Sequence, residues 1–112
     1  MRINMKKDKI KNSVNVLGTE YSVSYSTQDK DPELKNLSGY CITSQKRIVV
    51  EEKKGDPYTE KWILRHEIIH AFLHESGLEK EVQWADSEET IVDWIALQFP
   101  KMLKAFEETK AL

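Results

Sequence analysis

Residues 56–77 read DPYTEKWILRHEIIHAFLHESG, and this stretch divides the chain into an alternating half before it and a helical half after it. Asp56 is a good N-cap, because its side-chain oxygen can accept from the free N–H groups of a first turn. Pro57 suits the first helical position, where no N–H is needed. Trp62, Leu64, Ile69, Phe72 and Leu73 recur at helical spacing. Gly77 is a natural stop, since it can take the left-handed conformation that closes a helix. The spacing therefore predicts a helix that starts near Asp56 or Tyr58 and ends at Gly77.

Upstream, the period changes from 3.6 to 2. Val14 and Val16 alternate with polar neighbours, Gly18-Thr19 marks a turn, and Tyr21, Val23 and Tyr25 alternate again, which predicts a hairpin over 13–26. Residues 27–38, with Asp31-Pro32, form a loop with one helical turn at Pro32 to Asn36. Tyr40–Thr43 and Arg47–Glu51 are two further short strands around Ser44-Gln45, the second rich in the β-branched residues that strands favour. Downstream, a second helix begins after Asp86 or Ser87, with Ser87 as cap and Glu88 and Glu89 in the first turn, where acids are favoured. Ile91, Trp94, Ile95 and Leu97 give it an apolar face. Pro100 is expected to end or kink it, and a last helical stretch runs to about Lys110. Strands followed by helices predict one α+β domain over 1–112: an antiparallel sheet of three to four strands packed on two to three C-terminal helices.

Composition narrows the function classes. With 112 residues the chain has room for one modest core. Hydrophobic residues at 39% and charged residues at 32% fit a soluble globular protein. The net charge of −2 offers no electrostatic footprint for nucleic acid. Only residues 1–12 are locally basic, through Arg2, Lys6, Lys7, Lys9 and Lys11, and they are expected to form a flexible, solvated tail. No apolar run approaches a bilayer span, no apolar segment follows the basic start as in a secretory signal, and the single Cys41 has no partner for a disulfide. The expected compartment is the cytoplasm, with no membrane partner.

The central helix carries His66-Glu67-Ile68-Ile69-His70. Residues i and i+4 share one helix face, so two imidazoles can close on one ion. Glu67 is rotated by about 100° from His66 on a 3.6-residue helix and flanks the ion instead of ligating it. There it can take a proton from activated water and pass it to a leaving amine. Zinc needs a third protein ligand if a water is to keep the fourth position. His74, Glu75, Glu79, Asp86, Glu88, Glu89 and Asp93 are candidates. His74 continues the line of His66 and His70, so it fits a rim or supporting role better than a ligand role. The acidic first turn of the next helix, Glu88 or Glu89, is the better source.

His66-Glu67-x-x-His70 followed after eighteen residues by Glu89 resembles the pattern of the gluzincins, the thermolysin-like zinc peptidases. That resemblance implies Glu89 as the third zinc ligand and Asp93, four residues on, as the partner of the His66 ring N–H. It also implies that the strand before the active helix, Arg47–Glu51, offers its edge to an extended substrate by β-augmentation. More broadly, HEIIHAFLHESGL and EETIVDWIALQFP are similar to segments of the small metallopeptidase-like proteins of phages and mobile elements related to the ImmA/IrrE group. The second segment ends in the Ala-x-x-x-Pro run of that group, here Ala96 and Pro100, but carries Asp93 where an Asn is usual. The resemblance implies a minimal zincin-like fold, a Zn2+ cofactor, a protein or peptide substrate, and limited proteolysis of a regulatory protein. His74, Tyr40 and Tyr58 are candidate oxyanion donors. Two other readings fit the same residues: a zinc-stabilised protein-binding module that uses the scaffold without turnover, and a metal-free interaction domain.

Overall fold

The alternating residues before the central helix form a four-stranded sheet. The structure, a computed structural model, describes residues 12–78 and 88–111. The basic tail, Ser87, and the candidate ligands Glu79 and Asp86 therefore lie outside the described residues. Strand β1 (Ser13–Val16) pairs antiparallel with β2 (Thr19–Ser26). Their turn is Leu17-Gly18, with φ of 51° and 93°, one residue earlier than Gly18-Thr19. Two positive φ values in succession match the right-handed twist of a hairpin, and glycine takes the second without steric cost. A 3-10 turn at Pro32–Lys35 follows, capped by Asp31. Strands β3 (Gly39–Ile42) and β4 (Arg47–Glu51) pair antiparallel.

The sheet is mixed instead of wholly antiparallel. Its order is β1-β2-β4-β3, and β4 runs parallel to β2, with Ser22 beside Arg47 and Tyr25 beside Val50. After β2 the chain crosses to the far edge, lays down β3, and returns through the gap between β2 and β3. As a result β4 is interior and β3 is an edge.

One face of this sheet carries Val16, Tyr21, Val23, Ile48 and Val50, all buried together with Ile63 and Ala71 of the helix above. That helix, α1 (Pro57–Ser76), starts and stops where the sequence places its signals. The Asp56 side chain accepts from the Thr59 N–H at 3.2 Å, and Gly77 closes the helix at φ 83° while donating to the His74 carbonyl. Its last turn is tied to the sheet through Glu75. This carboxylate accepts from the Tyr21 hydroxyl at 2.6 Å, from Lys46 Nζ at 2.8 Å and from Thr19 Oγ1 at 3.2 Å, so Glu75 is not a ligand candidate. Lys46, then Tyr21, hold its carboxyl down to about 2 against an ordinary 4.5. A depressed folded-state pKa contributes stability above the unfolded value and loses it as pH falls through the folded one. The protein should therefore lose stability between pH 4.5 and about 2, and Glu75→Gln should flatten that part of a melting-temperature-against-pH profile. An unchanged slope in the variant would exclude Glu75 as its source.

The second helix, α2 (Glu88–Glu108), runs through Pro100, so of the expected end or kink, the end is not there. Proline leaves the carbonyl four residues back, that of Ala96, without its helical donor. Ala96 is fully buried, and an orphaned buried carbonyl is costly. Here Arg65 Nε of α1 donates to it at 2.7 Å. The same bond docks α2 on α1. Arg65→Met should destabilise the chain by about 1–3 kcal/mol, the cost of an unsatisfied buried acceptor. Because Pro100→Ala restores the missing N–H, Arg65→Met should cost distinctly less in that background. Urea unfolding of the four variants reads this coupling, and strictly additive effects would contradict it.

Candidate metal centre

His66, Glu67 and His70 come from the middle of α1, and Glu88, Glu89 and Asp93 from the first turns of α2. The docking of α2 brings the two groups together. His66 Nε2 lies 3.2 Å from His70 Nε2, and Glu89 Oε1 lies 3.1 Å from the first and 3.3 Å from the second. These three atoms form a nearly equilateral triangle. Two ligand atoms about 2.0–2.1 Å from a tetrahedral zinc are about 3.3–3.4 Å apart, so the triangle fits one face of such a site. Among the described residues, no fourth His, Cys, Asp or Glu joins these three. His74, one turn further along α1, is outside both this triangle and the cleft lining described below.

The outer nitrogens explain why the inner ones converge. His70 Nδ1 is 2.7 Å from Glu88 Oε2, and His66 Nδ1 is 2.7 Å from Asp93 Oδ1. An ionised carboxylate only accepts, so the His70 contact is a hydrogen bond when Nδ1 carries the proton. The His66 contact has the distance of a hydrogen bond without its direction: Nδ1 is buried and has no well-aimed acceptor. In the tautomer with Nδ1 protonated in both neutral rings, both Nε2 atoms would present lone pairs to each other and to a carboxylate oxygen. In that tautomer three electron-rich atoms converge on one point, an arrangement that could hold a cation. In the metal-free chain a proton can serve. Burial pulls the His70 pKa down, but the Glu88 hydrogen bond and the charges of Glu89, Glu67 and Glu88 outweigh it, and the net shift is upward.

Glu67 points elsewhere. It is only 7% exposed. Burial, with some help from Glu89, raises its pKa against the opposing pull of the two imidazoles. Its neighbour across the helix–sheet junction is Gly39 at the start of β3. A Cβ there would lie 2.8 Å from Ile63 Cγ2, 3.0 Å from the Val49 carbonyl oxygen and 3.5 Å from Glu67 Cγ. Only glycine lets the edge strand approach the helix this closely. An open cleft of about 620 Å³ lies there, lined by Asn36–Cys41, Thr43, Trp62, Ile63, His66, Glu67, His70 and Glu89. Trp62 meets His66 edge to face at 5.9 Å.

The cleft therefore sits beside β3, and among the described residues the edge strand on that side of the sheet is Gly39–Ile42. The expected edge, Arg47–Glu51, is paired on both sides. Of the candidate oxyanion donors, only Tyr40 lines the cleft, and its hydroxyl donates to Asp31. Sequence reasoning placed Glu88 as a rival to Glu89 and missed its contact with His70. The signal that could have found it is the pairing of every ligating imidazole with an acceptor on its outer nitrogen.

Compared with known proteins, the chain matches no family model, no curated protein and no solved structure. Among the described residues, no helix is long and apolar enough to cross a membrane.

Proposed function

We propose that the chain is a zinc-dependent metallopeptidase, with His66, His70 and Glu89 holding the ion and Glu67 as the catalytic carboxylate. The observation that carries this is the convergence of two imidazole lone pairs and one carboxylate oxygen into a triangle of zinc-ligand size, open on its fourth side. A bound zinc would supply Lewis-acid polarisation of the scissile carbonyl and activation of a water.

The chain's own residues supply the rest. Glu88 holds the His70 imidazole in the ligating tautomer through a hydrogen bond, and the charge of Asp93 beside His66 Nδ1 favours the same tautomer there. Glu67, raised in pKa by burial, receives a proton and returns it to the leaving amine. The edge strand β3, Gly39–Ile42, lies beside the cleft and takes an extended peptide alongside it as a further strand. Beside the carboxylates and imidazoles, the cleft wall is neutral. The resemblance to phage and mobile-element proteins makes a regulatory protein the expected target.

Incubation of the zinc-loaded chain with a proteome-derived peptide library, read by mass spectrometry, should yield cleavage products that disappear on chelation. No product above the Glu67→Gln background would argue for a module without turnover. Among the described residues, that alternative has no fourth side-chain ligand on its side.

A further inference from the structure

We infer that Glu88 is a positioning residue: it fixes the ring of His70, while its neighbour Glu89 faces the ion. This rests on the zinc proposal above and assigns separate roles to two adjacent acids. Successive helical residues are about 100° apart, so Glu88 and Glu89 cannot face the same point. Glu88 Oε2 meets His70 Nδ1 at 2.7 Å, on the outer side of the ring. Glu89 Oε1 meets both Nε2 atoms on the inner side. Exposure agrees with this division. The Glu89 side chain is 71% exposed, as expected of an acid at a helix start, whereas that of Glu88 is only 19% exposed. A carboxylate withdrawn that far from water needs a partner, and the His70 Nδ1–H is the one it has.

The consequence is a symmetric support. Each imidazole has its own carboxylate, Asp93 for His66 and Glu88 for His70. Both supports come from α2, the helix that also brings Glu89. The Glu88 bond is the better directed of the two, because the His66 Nδ1–H is not aimed at Asp93. Glu88 therefore contributes more than Asp93 to holding the site's shape before the ion arrives. A carboxylate on the outer nitrogen fixes the tautomer and makes the inner nitrogen a stronger donor to the ion.

The test is zinc affinity of the full chain, without a histidine tag, measured by competition with a chromophoric chelator. Glu88→Ala should weaken zinc binding by about 10–100-fold, the usual effect of losing such a partner. Glu88→Gln should weaken it less, since the amide oxygen still accepts from Nδ1–H. Glu89→Ala should lose far more than either. A second readout is the long-range proton–nitrogen spectrum of the zinc form. It should show His70 protonated on Nδ1, with that resonance moved in both Glu88 variants and the His66 pattern kept. Wild-type affinity in both Glu88 variants, with zinc still bound by the parent chain, would overturn this assignment and leave the zinc proposal intact. A loss in Glu88→Ala as large as in Glu89→Ala would overturn it too, by making Glu88 a ligand. A parent chain that binds no zinc would overturn the proposal and this inference together.

Discussion

Glu67→Gln should retain zinc at the parent level and lose peptide hydrolysis by about 10²–10⁴-fold, the range expected for removal of a positioned general base. The substitution preserves side-chain size, so the packing of this side chain beside Gly39 is undisturbed. It removes only the capacity to take and return a proton. Burial is what makes this effect large. A carboxylate that is 7% exposed has its pKa raised chiefly by desolvation, which brings its proton affinity closer to that of the groups it serves. The loss should fall on kcat and leave KM nearly unchanged, because Glu67 is assigned no contact with the bound peptide in its ground state. Activity that survives in Glu67→Gln with zinc in place would exclude the proposed proton transfer.

The second large effect is on stability. A ligand that binds only the folded chain stabilises it by about 4 kcal/mol at about 1,000 times its Kd. For a domain of this size that is roughly 10–20 °C in melting temperature. Stripping zinc with a strong chelator should therefore lower Tm by that order, and zinc should restore it. His70→Ala should melt near the stripped parent and respond little to added zinc, because it removes a ligand and leaves Glu88 without its partner. The dependence on pH follows from the ligand chemistry. Zinc requires His70 unprotonated, and His70 holds its proton to a higher pH than an ordinary histidine. Zinc loss on acidification should accordingly begin at a higher pH than a site with unshifted histidines would show. A zinc-independent Tm in the parent chain would remove the metal from the folding account.

Local signals made much of this structure legible in advance. The cap at Asp56, the proline at position 57 and the glycine at position 77 act within one turn of themselves, so α1 could be bounded from sequence. Alternation at Val14–Tyr25 likewise located the hairpin. What was not legible depends on contacts between distant segments. The parallel pairing of β4 with β2 leaves no mark in the sequence of either strand. The identity of the edge strand beside the cleft followed from that pairing, and so it is Gly39–Ile42 and not Arg47–Glu51. The continuation of α2 through Pro100 was hidden for the same reason. A rule about one helix took no account of Arg65 on another helix, which satisfies the carbonyl that the proline orphans. At the site, helical spacing put His66 and His70 on one face, and the resemblance selected Glu89. The division of labour between Glu88 and Glu89 depends on which side of the His70 ring each meets, and only the docking of α2 on α1 decides that.

The central claim is that two imidazoles and one carboxylate converge to hold an ion. Elemental analysis of the chain purified without a histidine tag tests it most directly. About one zinc per chain is expected, lost in Glu89→Ala and in His66→Ala. Metal far below stoichiometry after reconstitution with zinc, or zinc retained in both variants, would contradict it.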